Sequence, residues 1–106
     1  EKGVGAGGGA DLAPWEMCSL GETRAMKLLG AEAAGKHAWQ LQLHHTAVIS
    51  RVYPAGTRVL STNFDPLPLW AAGVQMVALN YQTHDLHQQL NRGLFRLNGG
   101  CGYVLK

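Results

Sequence analysis

Two residues near the middle of the chain have the types and the spacing of an anion-binding site. Arg51 and Tyr53 are two positions apart in a β-branched segment that ends at Pro54, so both side chains project from one face of a predicted strand. A guanidinium binds phosphate through parallel hydrogen bonds, and a phenol ring supplies a stacking face and a hydroxyl. The pair fits an anionic, ring-shaped ligand, although an arginine paired with a carboxylate beside a packed tyrosine has the same pattern.

Ser19 is the second candidate, because it lies three residues before the start of a predicted helix. Ser19 and Glu22 have the spacing of a capping box, in which a hydroxyl and a carboxylate satisfy free backbone N–H groups. A hydroxyl beside such N–H groups could also receive a phosphate. The two interpretations are compatible, and the spacing leaves both open.

The histidines do not have the spacing of a catalytic or metal site. His44 and His45 are adjacent, so they cannot both face one site from a helix. His84 and His87 could share a helical face, but a third ligand at metal-binding spacing is missing. We expect these four residues and His37 to have surface or capping roles. Residue spacing predicts no metal site, no glycine-rich phosphate loop and no nucleophile–base pair.

The elements that would position these residues alternate between strands and helices, because β-branched or apolar runs alternate with segments of helical spacing. The predicted strands are Trp15 to Leu20, Ala47 to Tyr53, Val74 to Tyr81 and Gly102 to Leu105, and the predicted helices are Glu22 to Leu29, Ala31 to Thr46, Leu69 to Ala72 and Asp85 to Leu97. Asp85 is the expected N-cap of the last helix. Parallel βαβ units have this order, so the fold is predicted to be α/β, either a small open sheet or half of a TIM barrel.

Length and composition narrow the functional classes. The chain has 106 residues, of which 46% are hydrophobic and 15% charged, as in a globular domain. A formal net charge of +2 without a dense basic stripe argues against nucleic-acid binding. No run approaches the roughly 20 apolar residues that span a bilayer, so any membrane contact is predicted to be peripheral.

The two ends of the chain differ from the rest. Residues 1–13 include five glycines and few residues that could build a core, so they are predicted to be a flexible linker or tail. Residues 14–106 are predicted to be the folded part. The first residue is not Met, and Lys106 directly follows an apolar stretch. We therefore expect a larger protein that continues beyond both ends.

The segment SRVYPAGTR at 50–58 resembles the Ser-Arg-Ile/Val-Tyr-Pro-x-Gly-x-Arg signature of eukaryotic phosphoinositide-specific phospholipases C. Further motifs of that family follow in order: STNFDP at 61–66, Trp70, GVQMVALNYQT at 73–83 and NGGCGYVLK at 98–106. Upstream, MCSL at 17–20 resembles the family's opening strand. Among the subtypes, Ser19-Leu20 and LNYQT at 79–83 look most like the epsilon class.

This resemblance implies the Y-box, which is the carboxy-terminal half of a TIM-like (β/α)8 barrel that the family divides into X and Y halves. It implies four parallel strands alternating with helices in this chain. In the matching family positions, Ser19 and Arg51 bind a phosphate of the inositol ring and Tyr53 packs against the ring. The family's catalytic histidines, Ca²⁺ ligands and general base lie in the X half, so no catalytic residue and no metal ligand is implied here.

The implied function is substrate binding in an enzyme that hydrolyses phosphatidylinositol 4,5-bisphosphate to inositol trisphosphate and diacylglycerol in intracellular signalling. The implied partners are this lipid, the X half and a membrane surface, with Ca²⁺ as a cofactor of the whole enzyme. The implied location is cytoplasmic, peripheral at the plasma membrane, and the chain alone would be inactive. The alternative is a catalytically inactive relative that acts as a scaffold for inositol phosphates or proteins.

Two positions depart from the family pattern. Leu60 stands where the family usually has an aspartate, which removes a loop carboxylate. Thr57 stands where the family often has an aromatic residue of the membrane-touching rim. The first departure is expected to alter loop packing and the second to weaken interfacial contact.

Overall fold

Residues 16–34 and 38–106 are described by a computed structural model, in which three strands form one parallel sheet in the order β1-β2-β3. The elements are β1 (Met17–Gly21), α1 (Glu22–Ala34), α2 (Ala38–Ala47), β2 (Ile49–Tyr53), α3 (Leu67–Ala71), β3 (Met76–Val77), α4 (Leu86–Leu94) and a 3₁₀ turn at Asn98–Gly100. The predicted α/β class is confirmed. The predicted linker at 1–13 and residue His37 lie outside the described residues.

The sheet buries one face, and the period-2 alternation of β1 and β2 decides which residues lie there. Cys18 and Leu20 on β1 and Val52 on β2 are buried, and they pack with residues of the first helix and of the later loops. The alternate positions, Met17 and Ile49, are 53% and 47% exposed. The helices therefore cover one face, and the other is open in the described part of the chain.

The register places the candidate residues side by side on that open face. β1 and β2 pair with Ser19 opposite Arg51 and Gly21 opposite Tyr53. β3 continues the sheet in parallel, with Met76 opposite Arg51. Since all three strands are parallel, their carboxyl ends lie at the same edge.

The sheet of the described residues has three strands, a correction to the predicted four. Positive φ angles recur at Asn98, Gly99, Gly100 and Gly102 (55°, 67°, 70° and 89°), and they turn the chain repeatedly. Leu105 is 96% exposed, and Lys106 donates to the carbonyls of His45 (2.7 Å) and Gly73 (2.8 Å). An apolar run becomes a strand only where another strand pairs with it, and no strand among residues 16–34 and 38–106 pairs with residues 102–105.

The predictions for the second half of the chain differ in outcome. Asp85 is the N-cap of α4, as predicted, and its side chain accepts from the Gln88 backbone N–H at 3.0 Å. The predicted strand at 74–81 is ordered as a strand only at Met76–Val77. Within residues 16–34 and 38–106, no helix has the length and apolar character needed to cross a membrane.

Candidate substrate-binding site

The three candidate residues lie together at the carboxyl ends of β1 and β2. Pro54 stops β2 because proline cannot donate to a strand ladder, so Arg51 and Tyr53 are near the end of the strand. Arg51 Nη1 donates to Ser19 Oγ at 3.5 Å, and the guanidinium carbon lies 5.5 Å from the centroid of the Tyr53 ring. This edge of a parallel α/β sheet is where ligand sites form in barrels and open sheets.

An open depression of about 440 Å³ lies at this edge. Its lining residues come from the end of β2, from the turn after it and from the loop after β3: Arg51, Tyr53, Pro54, Ala55, Gly56, Arg58, Ser61 and Asn80. Ser19 is not among them and reaches the depression through its hydrogen bond from Arg51. The lining combines two guanidiniums with one phenol ring, which suits an anionic ligand of limited size.

The two guanidiniums differ in their partners. Arg58 forms a forked ion pair with Glu22, in which Nε bonds to Oε1 and Nη2 lies 2.8 Å from Oε2. The hydrogen bond to Arg58 lowers the pKa of Glu22, and the same bond raises the pKa of Arg58. In the part of the chain that the structure describes, Arg51 has the Ser19 hydroxyl and the Tyr53 ring as its contacts and no carboxylate. The interpretation of an arginine neutralised by a carboxylate therefore applies to Arg58, and Arg51 is the cation open to a ligand.

The capping-box interpretation of Ser19 and Glu22 is wrong. Ser19 lies inside β1, and α1 begins only at Glu22. The Glu22 carboxylate accepts from the backbone N–H of Ala55 at 2.8 Å as well as from Arg58. Both groups of the predicted box therefore have partners on or after β2, more than 30 residues away in sequence.

Asn63 fixes the far side of the depression. Its side chain is buried and donates to the carbonyl of Asn80 (3.2 Å) and to Asp85 Oδ1 (3.2 Å), and its Oδ1 accepts from Asn80 N at 2.5 Å. Burial opposes ionisation of Asp85, but hydrogen bonds from Gln88 and Asn63 outweigh it and lower the pKa of that carboxyl. These bonds attach the turn after β2 to the loop that carries Asn80.

Six of the eight lining residues were missed in the sequence-based prediction of the site, and those with polar or charged side chains are Arg58, Ser61 and Asn80. Arg58 was detectable, since it is the second arginine of SRVYPAGTR. Ser61 has a φ of 54°, a left-handed conformation that serine adopts only rarely, so its residue type does not predict it. Asn80 joins the site because Asn63 binds its backbone, and that pairing follows no sequence spacing.

The described histidines lie outside the depression, and one of them has a role that differs from the prediction. His45 is buried rather than at the surface: Nδ1 donates to the Ala72 carbonyl (2.7 Å), and Nε2 lies 2.9 Å from Ser50 Oγ. Burial lowers the pKa of His45. No described histidine lines the depression. Among the described residues, no group of three or more His, Cys, Asp or Glu side chains could hold a metal ion.

Comparison with known proteins gives consistent matches. The family model described as "Phosphatidylinositol-specific phospholipase C, Y domain" matches residues 8–106. The human protein named 1-phosphatidylinositol 4,5-bisphosphate phosphodiesterase delta-4 is 49% identical over 92 residues, which are 87% of this chain and 11% of that protein. The human eta-2 phosphodiesterase of the same lipid is 47% identical over 92 residues, 87% of this chain and 6% of that protein.

The solved structures agree with the sequence matches. The crystal structure of S. officinalis PLC21 has a TM-score of 0.77 and 40% sequence identity, covering 88% of this chain and 11% of that chain. The chain therefore spans only a small part of each relative. The likeness confirms that the α/β fold is part of a TIM-like barrel, and the similarity to the epsilon class stays a prediction.

Proposed function

Since the chain belongs to the phosphatidylinositol-specific phospholipase C family, as its Y domain, we propose that it is the substrate-binding half of an enzyme that hydrolyses phosphatidylinositol 4,5-bisphosphate. The products are inositol trisphosphate and diacylglycerol, made in intracellular signalling. The observation that carries this proposal is the Arg51 guanidinium, which has no carboxylate partner in the described chain and lines the depression beside the Tyr53 ring.

The three candidate residues have distinct roles in this proposal. Arg51 binds a phosphate of the inositol ring, because its planar donors match two phosphate oxygens and its charge is not neutralised. The Ser19 hydroxyl, 3.5 Å from Arg51 Nη1, orients the guanidinium and offers a further hydrogen bond to the phosphate. Tyr53 supplies an apolar face for the ring. These residues select and orient the headgroup, while the cleaving groups come from elsewhere.

We infer that the open face of the sheet pairs with an X half, which completes the barrel. Met17, Ile49 and Met76 expose 53%, 47% and 47% of their surface on the face opposite the helices. Parallel sheets are almost always covered on both faces, so we expect another part of the protein to cover these apolar side chains. The described residues do not fit Ca²⁺, and we place the Ca²⁺ ligands and the acid–base groups in the X half.

We also propose peripheral contact with the cytoplasmic surface of the plasma membrane. Val59 and Leu60 are 88% and 84% exposed, and they lie between Arg58 and Ser61, which line the depression. Two adjacent apolar side chains at the mouth of a lipid-headgroup site can enter the membrane interface while Arg51 binds the headgroup. They would compensate in part for the absent aromatic residue at Thr57.

Replacing both Val59 and Leu60 with serine should weaken binding of the complete enzyme to vesicles by roughly tenfold or more. Full burial of one such side chain contributes about 1.5 to 3 kcal/mol, and tenfold in affinity corresponds to about 1.4 kcal/mol. Sedimentation with vesicles that contain the bisphosphate lipid measures this. The matched control is Leu105→Ser, since Leu105 is 96% exposed but does not line the depression. Equal vesicle binding by the double variant and the control would contradict the membrane role.

The proposed function is tested with a polypeptide that joins this chain to its X half. In the presence of Ca²⁺ it should release inositol trisphosphate from vesicles that contain phosphatidylinositol 4,5-bisphosphate. A scaffold protein would instead bind inositol trisphosphate and release nothing from the lipid. Binding without turnover would thus replace the enzyme proposal with the scaffold alternative.

A further inference from the structure

Glu22 connects the two segments that meet at the depression. It is the first residue of α1, directly after β1, and it is 8% exposed. Its carboxylate accepts from the backbone N–H of Ala55 (2.8 Å) and from two nitrogens of Arg58. Both carboxylate oxygens therefore bind the turn that follows β2, which supplies most of the lining of the depression.

Three of the five N–H donors of the Arg58 guanidinium bind acceptors within the protein. Nε and Nη2 bind Glu22, and Nη1 donates to Thr62 Oγ1 at 2.9 Å. Each of the three guanidinium nitrogens thus has one acceptor within the protein, and the Nε–Nη2 edge is fully used by Glu22. To bind a phosphate through its Nε–Nη2 edge, Arg58 would have to release a forked, charge-assisted pair and leave the buried Glu22 carboxylate unpaired, which is costly. At its other N–H groups the charge is already neutralised by Glu22, so Arg58 is a weaker phosphate ligand than Arg51.

The adjacent lining residues depend on this arrangement. Ala55 and Gly56 follow Pro54 in the turn. The Arg58 backbone N–H donates to the Ala55 carbonyl at 3.1 Å, and the Arg58 carbonyl accepts from the Ser61 backbone N–H at 2.9 Å. Both backbone polar groups of Ala55 are therefore hydrogen-bonded, the N–H to Glu22 and the carbonyl to the backbone N–H of Arg58. A shift of Glu22 would move the wall of the depression that faces Arg51.

We propose that Glu22 is a positioning residue for headgroup recognition, an inference that rests on the proposed function. It holds the turn at 54–61 against the start of α1 and keeps Arg58 as a structural strut. Arg51 is then the guanidinium that binds the ring phosphate, and Arg58 shapes the depression without contacting the phosphate.

A double-mutant cycle in the complete enzyme distinguishes a structural role of Arg58 from direct phosphate binding by Arg58. Glu22→Gln, Arg58→Gln and the double variant are compared in hydrolysis of phosphatidylinositol 4,5-bisphosphate and of unphosphorylated phosphatidylinositol. Each single variant should raise KM several-fold at nearly unchanged kcat, and the double variant should be no worse than the poorer single variant. Both lipids should be affected by the same factor, because the position of the wall is lost rather than a ring-phosphate contact.

The opposite pattern would overturn the inference. If Arg58 were a phosphate ligand, Arg58→Gln would affect the bisphosphate lipid selectively, and its effect would add to that of Glu22→Gln. An unchanged KM in Glu22→Gln would also count against it, as would a loss confined to thermal stability. Arg96→Gln is the matched control, because Arg96 is an exposed arginine that does not line the depression.

Amide hydrogen exchange tests the same inference without any turnover. The Ala55 N–H donates to Glu22 Oε1, so Glu22→Ala should increase the exchange rate of the Ala55 amide by roughly tenfold or more. Glu22→Gln keeps one acceptor oxygen but loses the ion pair with Arg58, so the exchange rate of its Ala55 amide should lie between those of the wild type and Glu22→Ala. Unchanged exchange in Glu22→Ala would overturn the positioning role, even in a protein that hydrolyses no lipid. Failure of the proposed function is seen separately, as absence of turnover in the wild-type enzyme.

The acid dependence of stability supplies a second readout. Besides the hydrogen bond between the two side chains, the positive charge of Arg58 lowers the pKa of Glu22, and the negative charge of Asp85 raises the pKa of Arg58. The hydrogen bond from Arg58 lowers the pKa of Glu22 from its ordinary value of 4.5. The stabilisation is therefore complete above about that ordinary value and is lost as the pH falls through the depressed pKa. The Tm difference between wild type and Glu22→Gln should shrink over that range, and a pH-independent difference would contradict the ion pair.

Discussion

Replacing Arg51 with alanine in the complete enzyme should reduce hydrolysis of phosphatidylinositol 4,5-bisphosphate by roughly 10- to 100-fold. A hydrogen bond to a charged group contributes about 1.5 to 3 kcal/mol, and each 1.36 kcal/mol changes a rate by tenfold. Hydrolysis of unphosphorylated phosphatidylinositol should fall much less, since that lipid has no ring phosphate for the guanidinium. The ratio of kcat/KM for the two lipids measures the effect.

Two further variants control this result. Arg51→Lys keeps the charge but loses the planar fork, so it should recover only part of the activity on the bisphosphate lipid. Arg96→Ala removes an exposed arginine outside the depression and should leave the ratio unchanged. Equal losses on both lipids in Arg51→Ala would mean that Arg51 supports the fold of the site rather than recognising a phosphate.

The 106-residue chain alone should give no detectable hydrolysis of phosphatidylinositol 4,5-bisphosphate with Ca²⁺ present, and addition of the X half should restore it. Cleavage requires acid–base groups placed at the reacting phosphodiester. The depression is lined by two arginines, a tyrosine, small residues and an asparagine, which suit recognition of the headgroup. Release of inositol trisphosphate by the separate and mixed halves measures the effect.

The restored activity should depend on the substrate-binding residues of this chain. A chain that carries Arg51→Ala, mixed with the same X half, should restore much less activity on the bisphosphate lipid than the wild-type chain does. Robust turnover by the purified chain alone would refute the division of binding and cleavage between the halves.

Much of the candidate site could be predicted from local sequence. Arg51 and Tyr53 are two residues apart on a strand, and the period of a strand places both on one face wherever the strand lies. Pro54 ends β2, so the pair lies at the carboxyl edge. The Asp85 side chain accepts from the backbone N–H of Gln88, in the first turn of α4. This capping contact involves only four consecutive residues, so local sequence predicts it.

Other features could not be predicted, because they depend on which segments meet in space. Ser19 and Glu22 have the spacing of a capping box, yet in the structure both side chains bind residues more than 30 positions away instead of the start of α1. Once α1 begins at Glu22 and packs beside the turn after β2, a forked bond to Arg58 satisfies the carboxylate better than a neutral backbone N–H can. The apolar run at 102–105 likewise lacks the neighbouring strand that would order it.

The anion site shows most clearly which features follow from the sequence and which depend on the tertiary structure. By itself, the sequence determined the family, the α/β class and the side-by-side placement of Arg51 and Tyr53, since motif order and strand periodicity are local properties. Only the tertiary structure decided which of the two arginines is available to a ligand. The pairing of Glu22 with Arg58 joins residues 36 positions apart, and the charge of a site depends on such long-range pairing rather than on residue type alone.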